Sequence, residues 1–271
     1  ASSPTGPAFE GAQISSGQRA APGAIERVRI DPETLEPRFK VIGGDLWSND
    51  PSFESQLGAG AITGICGSGI IEVLGEMYLS GVINTDGVID GELINRSDRI
   101  VEDGRTFSYV LHTGAMTITI TQNDVRAIQL AKAALYAGVR LLMDKLNVDK
   151  IDRIRLAGAF GSHIDVKYAM VLGLIPDCAI ENVTSAGNAA GSGAHIALVD
   201  SNARLEIERE VRRIEKIETA VESRFQEHFI EAMAIPHKTA RYPELSKVVS
   251  WPARSESKES VPSTGRRRRR R

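Results

Sequence analysis

The stretch IRLAGAFGSHID, residues 154–165, decides the fold of this chain. An apolar run ends at Ala157, glycines follow at positions 158 and 161, and Asp165 stands where a helix N-cap belongs. A short strand, a glycine turn and a capped helix in succession are typical of an α/β layer fold. The pattern therefore predicts a strand over residues 151–157 and a short helix that follows Asp165.

Two further glycine-rich turns stand at comparable junctions, GICGSG at 64–69 and SAGNAAGSG at 185–193. Such turns present backbone N–H groups and the positive end of a helix dipole, which suits phosphate. One turn alone is more typical of tight strand–helix packing than of ligand contact. Three in one domain favour a nucleotide. None ends in Gly-Lys-Ser/Thr or spells GxGxxG, so an NAD-dependent oxidoreductase is disfavoured.

Hydrophobic periodicity indicates strands mixed with helices through the rest of the chain. Strands are predicted at 25–30, 38–42, 107–111 and 116–121, with a loop over most of 84–106. Helices are predicted at 70–79 (capped by Ser68), 125–146 (between Asn123 or Asp124 and Asn147), 194–199, 203–221 (capped by Ser201 or Asn202) and 223–233. The turn at 185–193 is expected to run directly into the helix at 194.

The charge is distributed unevenly. The 271 residues hold 33 basic and 35 acidic side chains, but the last 18 residues hold eight basic and two acidic ones. We expect one domain over residues 1–250 and a disordered basic tail over 251–271, which ends in six arginines. The remaining body is acidic, which is unfavourable for binding nucleic acid.

Several classes of protein are excluded by simple patterns. No apolar run approaches the ~18 residues of a membrane span, and no signal peptide opens the chain. Cys66 and Cys178 are too few to ligate an iron–sulfur cluster or a structural zinc ion, and they suit a reducing compartment. We therefore expect a cytoplasmic protein that contacts neither membrane nor nucleic acid.

Candidate catalytic groups are sparse. Glu10, Glu72 and Asp165 are candidates to place a magnesium ion or a water, but Glu72 lies within a predicted helix and Asp165 is a predicted cap. Cys66 stands at a helix start, where a thiol pKa can fall, although small buried cysteines are commoner than reactive ones. No two of the five histidines have the i, i+4 spacing of a helical zinc site, so no metal site of the protein's own and no catalytic residue is assigned.

Five blocks of sequence together resemble the C-terminal part of the reductive activators of corrinoid proteins. They are residues 6–31, 62–74, 154–165, 185–198 and 231–249. The resemblance covers nearly all of the predicted domain. It implies the acetate and sugar kinase/Hsp70/actin (ASKHA) superfamily, whose ribonuclease-H-like lobes enclose a nucleotide cleft, with the fold incomplete in this chain.

The same resemblance implies a function. Members of the family use ATP, with magnesium, to drive the reduction of inactive corrinoid Co(II) to Co(I), and their [2Fe–2S] cluster lies in an N-terminal ferredoxin-like domain. The chain opens at Ala1 without a methionine. The superfamily's Asp-x-Gly-Thr phosphate motif and the Thr-Asn-Gly-Glu turn are expected upstream of it. We therefore expect a fragment that is inactive alone. Its expected partner is a corrinoid protein or corrinoid-dependent methyltransferase, and a homodimer is also considered.

The resemblance assigns the glycine turns to the nucleotide cleft. The adenosine motif corresponds to Gly158, Ala159, Phe160 and Gly161. The second connecting segment, which lines the cleft or hinges the lobes, corresponds to Gly187, Asn188 and Gly191. Further cleft glycines without an assigned role are Gly64, Gly67 and Gly69.

Two other functions stay open on the sequence. A small-molecule kinase of the same superfamily would share the cleft but would need a catalytic aspartate near the γ-phosphate, and none is recognisable. A non-enzymatic, actin-like or partner-binding module would need only the fold.

Overall fold

A hairpin near the start of the chain forms the first sheet. The computed structural model describes residues 1–57 and 62–252. Strands β1 (Ala24–Ile30) and β2 (Pro37–Val41) pair antiparallel, as predicted. A short helix α1 (Phe53–Leu57) follows, and the two-residue strand β3 (Gly64–Ile65) then pairs parallel with the start of β1. The sheet order is therefore β2-β1-β3.

Helix α2 (Gly67–Leu79) packs along β1 and is buried over most of its length. Its apolar residues recur on every turn, and Ile71, Val73 and Met77 are fully buried. The helix begins earlier than predicted. Cys66 is the N-cap and makes no side-chain capping bond, whereas Ser68 lies inside the helix. The assignment of Ser68 as the cap was therefore wrong.

The second sheet is an antiparallel meander in the order β4-β5-β6. Its strands are β4 (Ile100–Asp103), β5 (Thr106–His112) and β6 (Ile118–Thr121). The latter two were predicted. Strand β4 lies in a segment that was predicted to be mostly loop. The sequence did not reveal it because only its first residue is buried, so the strand shows no clear alternation of apolar and polar residues.

Helix α3 (Gln122–Leu146) is the longest element and ends at Asn147 in the left-handed conformation, as predicted. Thr121 is the N-cap and forms a capping box with Asp124, so neither Asn123 nor Asp124 is the cap itself. Helix α8 (Phe225–Glu231) packs against α3. From α3, the Lys132 ammonium donates to the carbonyl oxygens of Ala234 and Pro236 just beyond α8.

The third sheet has two parallel strands, each followed by a helix. Its elements are β7 (Ile154–Ala157), α4 (Ala159–His163), α5 (Val166–Val171), β8 (Val183–Gly187), α6 (Ala189–Val199) and α7 (Ser201–Val211). Asp165 caps α5 as predicted. Strand β8 and the first turn of α6 occupy the segment predicted as a turn. Helix α7 is capped by Asp200 and ends at Val211, not near residue 221.

Trp251 belongs to the folded body. Its indole N–H donates to Ser246 Oγ at 2.8 Å, and its ring meets that of Tyr78 edge-on with centroids 6.3 Å apart. The disordered tail was predicted to begin at residue 251, and its residues 253–271 lie outside the described part of the chain. Within the described part, no helix combines the length and apolar character needed to span a bilayer. The prediction of an α/β fold is confirmed.

Candidate functional site

The carboxyl ends of β7 and β8 lie side by side. The strands pair from Ile154 opposite Val183 to Ala157 opposite Gly187. At that end the Gly158 N–H donates to the Gly187 carbonyl at 2.8 Å. Each strand turns at once into a helix, α4 or α6. The two glycine turns that the sequence singled out are therefore adjacent, at the strand ends where open α/β sheets bind ligands.

Gly158 and Gly187 are required by their backbone angles. Their φ values are +97° and +59°, a region that L side chains rarely adopt. A Cβ added to either glycine would meet no atom within 4 Å. The glycines therefore do not serve close packing, and the space in front of both turns is open to a ligand.

Polar groups line these turns. Asn188 caps α6, and its side chain accepts a hydrogen bond from the Gly191 N–H at 3.0 Å. Ser185 Oγ donates to Ser162 Oγ at 3.1 Å, and Ser162 Oγ donates to the Gly158 carbonyl at 3.0 Å. The two serines were not singled out from sequence, although each lies within or directly after a predicted turn. They join the two turns through side-chain hydrogen bonds.

Phe160 connects this edge to the start of α2. A Cβ on Gly67 would lie 3.0 Å from the Phe160 ring and would also collide with the Phe9 carbonyl oxygen. The rings of Phe9 and Phe160 are 6.0 Å apart. Gly67 therefore borders the turn at residues 158–161, which continues into α4.

The other two candidate cleft glycines lie against protein atoms. A Cβ on Gly64 would lie 2.8 Å from both Gln18 Oε1 and the Ser16 carbonyl oxygen. A Cβ on Gly69 would collide with the Ile25 carbonyl oxygen. Both glycines therefore allow close packing of β3 and α2 against neighbouring backbone.

The three acidic candidates do not converge. Glu72 is fully buried and accepts hydrogen bonds from Arg27 at 2.7 Å and Arg29 at 2.6 Å. Asp165 accepts from the Lys167 N–H as a helix cap, and Glu10 is exposed in a separate turn near the start of the chain. Across residues 1–57 and 62–252, no group of three or more His, Cys, Asp or Glu side chains could hold a metal ion.

Both cysteines are buried and unpaired. Cys66 Sγ lies 3.4 Å from the Ile25 carbonyl oxygen and 3.3 Å from Ser68 Oγ. Burial raises the pKa of the Cys178 thiol above its ordinary value. Neither thiol is placed as an exposed nucleophile or as part of a ligand cluster.

Taken together, the fold and the paired glycine turns define an α/β domain of the class that binds ligands at the carboxyl ends of parallel strands. Comparison with known proteins narrows this class. The profile of the C-terminal domain of RACo, the ASKHA domain, matches residues 1–246. The chain belongs to this family, the C-terminal ASKHA domain of the reductive activators of corrinoid proteins.

Two known proteins show the same relationship. The corrinoid activation enzyme RamQ of Eubacterium limosum is 34% identical over 211 residues, which are 73% of this chain and 33% of RamQ. A solved structure, the reductive activator for corrinoid, iron-sulfur protein, superposes with a TM-score of 0.72 at 34% identity. The match covers 86% of this chain and 35% of that protein. The chain thus spans about a third of the length of these relatives, as an incomplete actin-like fold.

Proposed function

We propose that this chain is the ATP-binding C-terminal part of a protein that reductively activates a corrinoid protein, with ATP driving the one-electron reduction of Co(II) to Co(I). The observation that carries the proposal is the Gly158 N–H to Gly187 carbonyl bond, which sets two open glycine turns side by side. The family membership supports the corrinoid role, and the ASKHA fold supports a nucleotide as the ligand of these turns.

The residues of the site suit a nucleotide. Gly158 and Gly187 have no side chain, and their surroundings leave room for a flat base or a ribose. Asn188 and the N–H groups at the start of α6 provide polar partners, and the helix start favours an anion. Bound ATP would supply binding and hydrolysis free energy. This chain's own residues would hold the nucleotide and couple its presence to the packing of Phe160 against Gly67.

An iron–sulfur cluster does not fit the described residues, whose two cysteines are buried apart from any ligand group. We propose that the electron comes from a [2Fe–2S] domain elsewhere in a longer protein. A corrinoid protein or corrinoid-dependent methyltransferase would accept it. The relatives' names support this partner class.

A pair of glycine substitutions tests nucleotide binding. Gly187 and Gly104 have nearly the same φ, +59° and +62°, and a Cβ at either meets nothing within 4 Å. Both Gly187→Ala and Gly104→Ala should lower the free energy of unfolding by roughly 1 kcal/mol, because both positions have a left-handed backbone conformation that alanine adopts only with strain. Only Gly187→Ala should also weaken MgATP binding, by about tenfold or more, in calorimetric titration of a longer protein that contains this chain together with the phosphate motif expected upstream.

Equal MgATP affinity in the two variants would place the nucleotide elsewhere. No measurable MgATP binding by the unsubstituted longer protein would remove the proposal's basis. The electron-transfer part is tested separately, by following the Co(I) absorbance of a corrinoid protein with the longer protein, with and without ATP. Phosphorylation of a small molecule instead would favour the kinase alternative.

A further inference from the structure

The outer face of the β1–β2 hairpin is unusually basic. The alternate residues Val28 and Ile30 of β1, and Phe39 and Val41 of β2, are buried in the core. The residues that are not in the core stay partly or fully exposed. Four of them are cations, Arg27, Arg29, Arg38 and Lys40, and Glu26 is the one acidic residue of the two strands. A solvated strand face more often mixes charges of both signs, so this arrangement calls for a specific explanation.

Two aromatic rings hold these cations in place. Trp47 is approached by Arg29 at 5.6 Å, Arg38 at 5.2 Å and Lys40 at 5.4 Å from its ring centroid. The buried Tyr168 ring contacts Arg29 at 4.9 Å and Lys167 at 4.0 Å. We call the set Arg27, Arg29, Arg38, Lys40, Trp47 and Lys167 the cationic face.

One carboxylate of α2 fixes two of the guanidinium groups. Glu72 binds one nitrogen of Arg27 and one of Arg29, together with the Val28 N–H at 3.0 Å. A guanidinium has five N–H donors, so most of them remain free for another partner. The side chains of Arg27 and Arg29 are 32% and 30% exposed to solvent. The cations are therefore oriented before any partner arrives, which lowers the entropic cost of binding.

We infer that the cationic face docks an acidic surface on a partner protein. It carries five cations. The buried Glu72 bonds to Arg27 and Arg29, and the buried Glu76 accepts from the Ile30 N–H and from the hydroxyl of the neighbouring Tyr168. Guanidinium forks match carboxylates in geometry as well as charge. Trp47 adds the aromatic contact that is enriched at protein interfaces. This docking role requires neither the nucleotide nor the electron transfer proposed above.

Other occupants fit less well. The chain's own tail is basic and would be repelled. In a second copy of the chain, the charged segment at residues 200–222 carries five basic and seven acidic side chains. Its net charge is therefore too small to attract the cationic face. Nucleic acid presents an extended row of phosphates that would also lie over the acidic remainder of a body with 25 basic and 33 acidic residues, whereas a folded acidic surface has to meet only this face. A compact acidic protein surface matches the size and sign of the face.

Trp47 itself reports on occupancy. In a Trp251→Phe background it is the sole tryptophan, and its fluorescence can be titrated with a poly-L-glutamate peptide at low salt. We expect a saturable change in Trp47 emission that weakens as salt is added. The double variant Arg38→Glu/Lys40→Glu should bind about tenfold more weakly or worse. The control Arg209→Glu/Arg212→Glu makes the same charge change on exposed residues of and just after α7 and should shift affinity less than about twofold.

The basic tail is identical in all of these variants, so it cannot explain a difference between them. An unchanged Trp47 emission, equal losses in the two double variants, or tighter binding of duplex DNA than of polyglutamate would each overturn the inference. Should the charge-reversed variant fail to fold by circular dichroism, Arg38→Gln/Lys40→Gln replaces it. That variant should then lose affinity by about threefold or more.

Discussion

Helices α2 and α6 begin in the same way, but α2 is buried and α6 is exposed. Each follows a short strand and a glycine-rich turn, and each is largely apolar. Every residue of α2 from Ser68 to Tyr78 is buried, whereas no described residue of α6 is, and its Leu198 is 78% exposed. The difference lies in what each helix packs against. Helix α2 contacts β1 and α5, while the main neighbour of α6 is α7.

This comparison divides the molecule into a packed layer and an open layer. The packed layer is the core around β1, α2 and α3, and the open layer is β7, β8, α6 and α7. A two-stranded sheet is marginally stable by itself. The open layer should therefore open locally at much lower free energy than the packed layer does.

The largest expected effect comes from breaking the Glu72 ion pairs of the packed layer. Glu72→Gln leaves Arg27, Arg29 and the Val28 N–H with a neutral partner at a fully buried position. We expect the free energy of unfolding to fall by about 4 kcal/mol in urea denaturation. Glu222→Gln, which breaks an exposed pair with Lys145, should cost less than about 1 kcal/mol. If both variants lost a similar free energy of unfolding, burial of Glu72 would not be the reason that its ion pairs stabilise the fold.

A matched pair of leucines compares the layers directly. Leu74 in α2 is 2% exposed and Leu198 in α6 is 78% exposed. Leu74→Ala should cost about 3 kcal/mol, because it removes buried apolar surface and leaves a cavity. Leu198→Ala should change stability by less than about 0.5 kcal/mol. A large loss for Leu198→Ala would show that α6 is covered in solution, for instance by another copy of the chain.

The smallest of the three expected effects is a pH dependence of the free energy of unfolding, which arises from Lys132 in the packed layer. Burial lowers the pKa of Lys132 from 10.5 to about 7. The folded protein then binds this proton less tightly than the unfolded chain, so stability should rise with pH above about 7. Between about pH 7 and 9 the gain should be roughly 2 kcal/mol.

Lys132→Met should remove this slope, whereas Lys216→Met, at a 69% exposed side chain, should leave it unchanged. The measurement is the urea midpoint of each variant at several pH values. An identical slope in wild type and Lys132→Met would mean that the carbonyl bonds of Ala234 and Pro236 keep Lys132 protonated throughout.

Much of the packed layer could be predicted from the sequence, because its periodicity is strong and its ends carry standard signals. The β1–β2 hairpin and helix α3 were found from alternating and helical apolar patterns, and Asn147 was found as a helix end. The cap of α3 was misplaced because Asp124 acts from the third helical position within a capping box. Helix α2 starts at a glycine, which has low helix propensity, because that glycine packs against Phe9 and Phe160.

The open layer was predicted less well, for physical reasons. Strand β8 has the sequence VTSAG with one buried residue, so it shows no hydrophobic pattern. Helix α7 was predicted to be too long because the charged residues beyond Val211 favour helix in isolation. In the structure residues 212–216 are exposed, and Thr219 is instead buried with its hydroxyl donating to the Ser2 carbonyl at 2.8 Å. The glycine turns of the candidate site were recognised individually. Their adjacency depends on the β7–β8 pairing, which is a tertiary contact.

The Phe160 ring lies directly against Gly67, the first residue of α2. A methyl group on Gly67 would collide with the Phe9 carbonyl oxygen and would lie 3.0 Å from the Phe160 ring, so both neighbours border the first turn of α2. A ligand that moves the Phe160 ring, which is 38% exposed, would therefore remove one of the contacts at the first turn of α2.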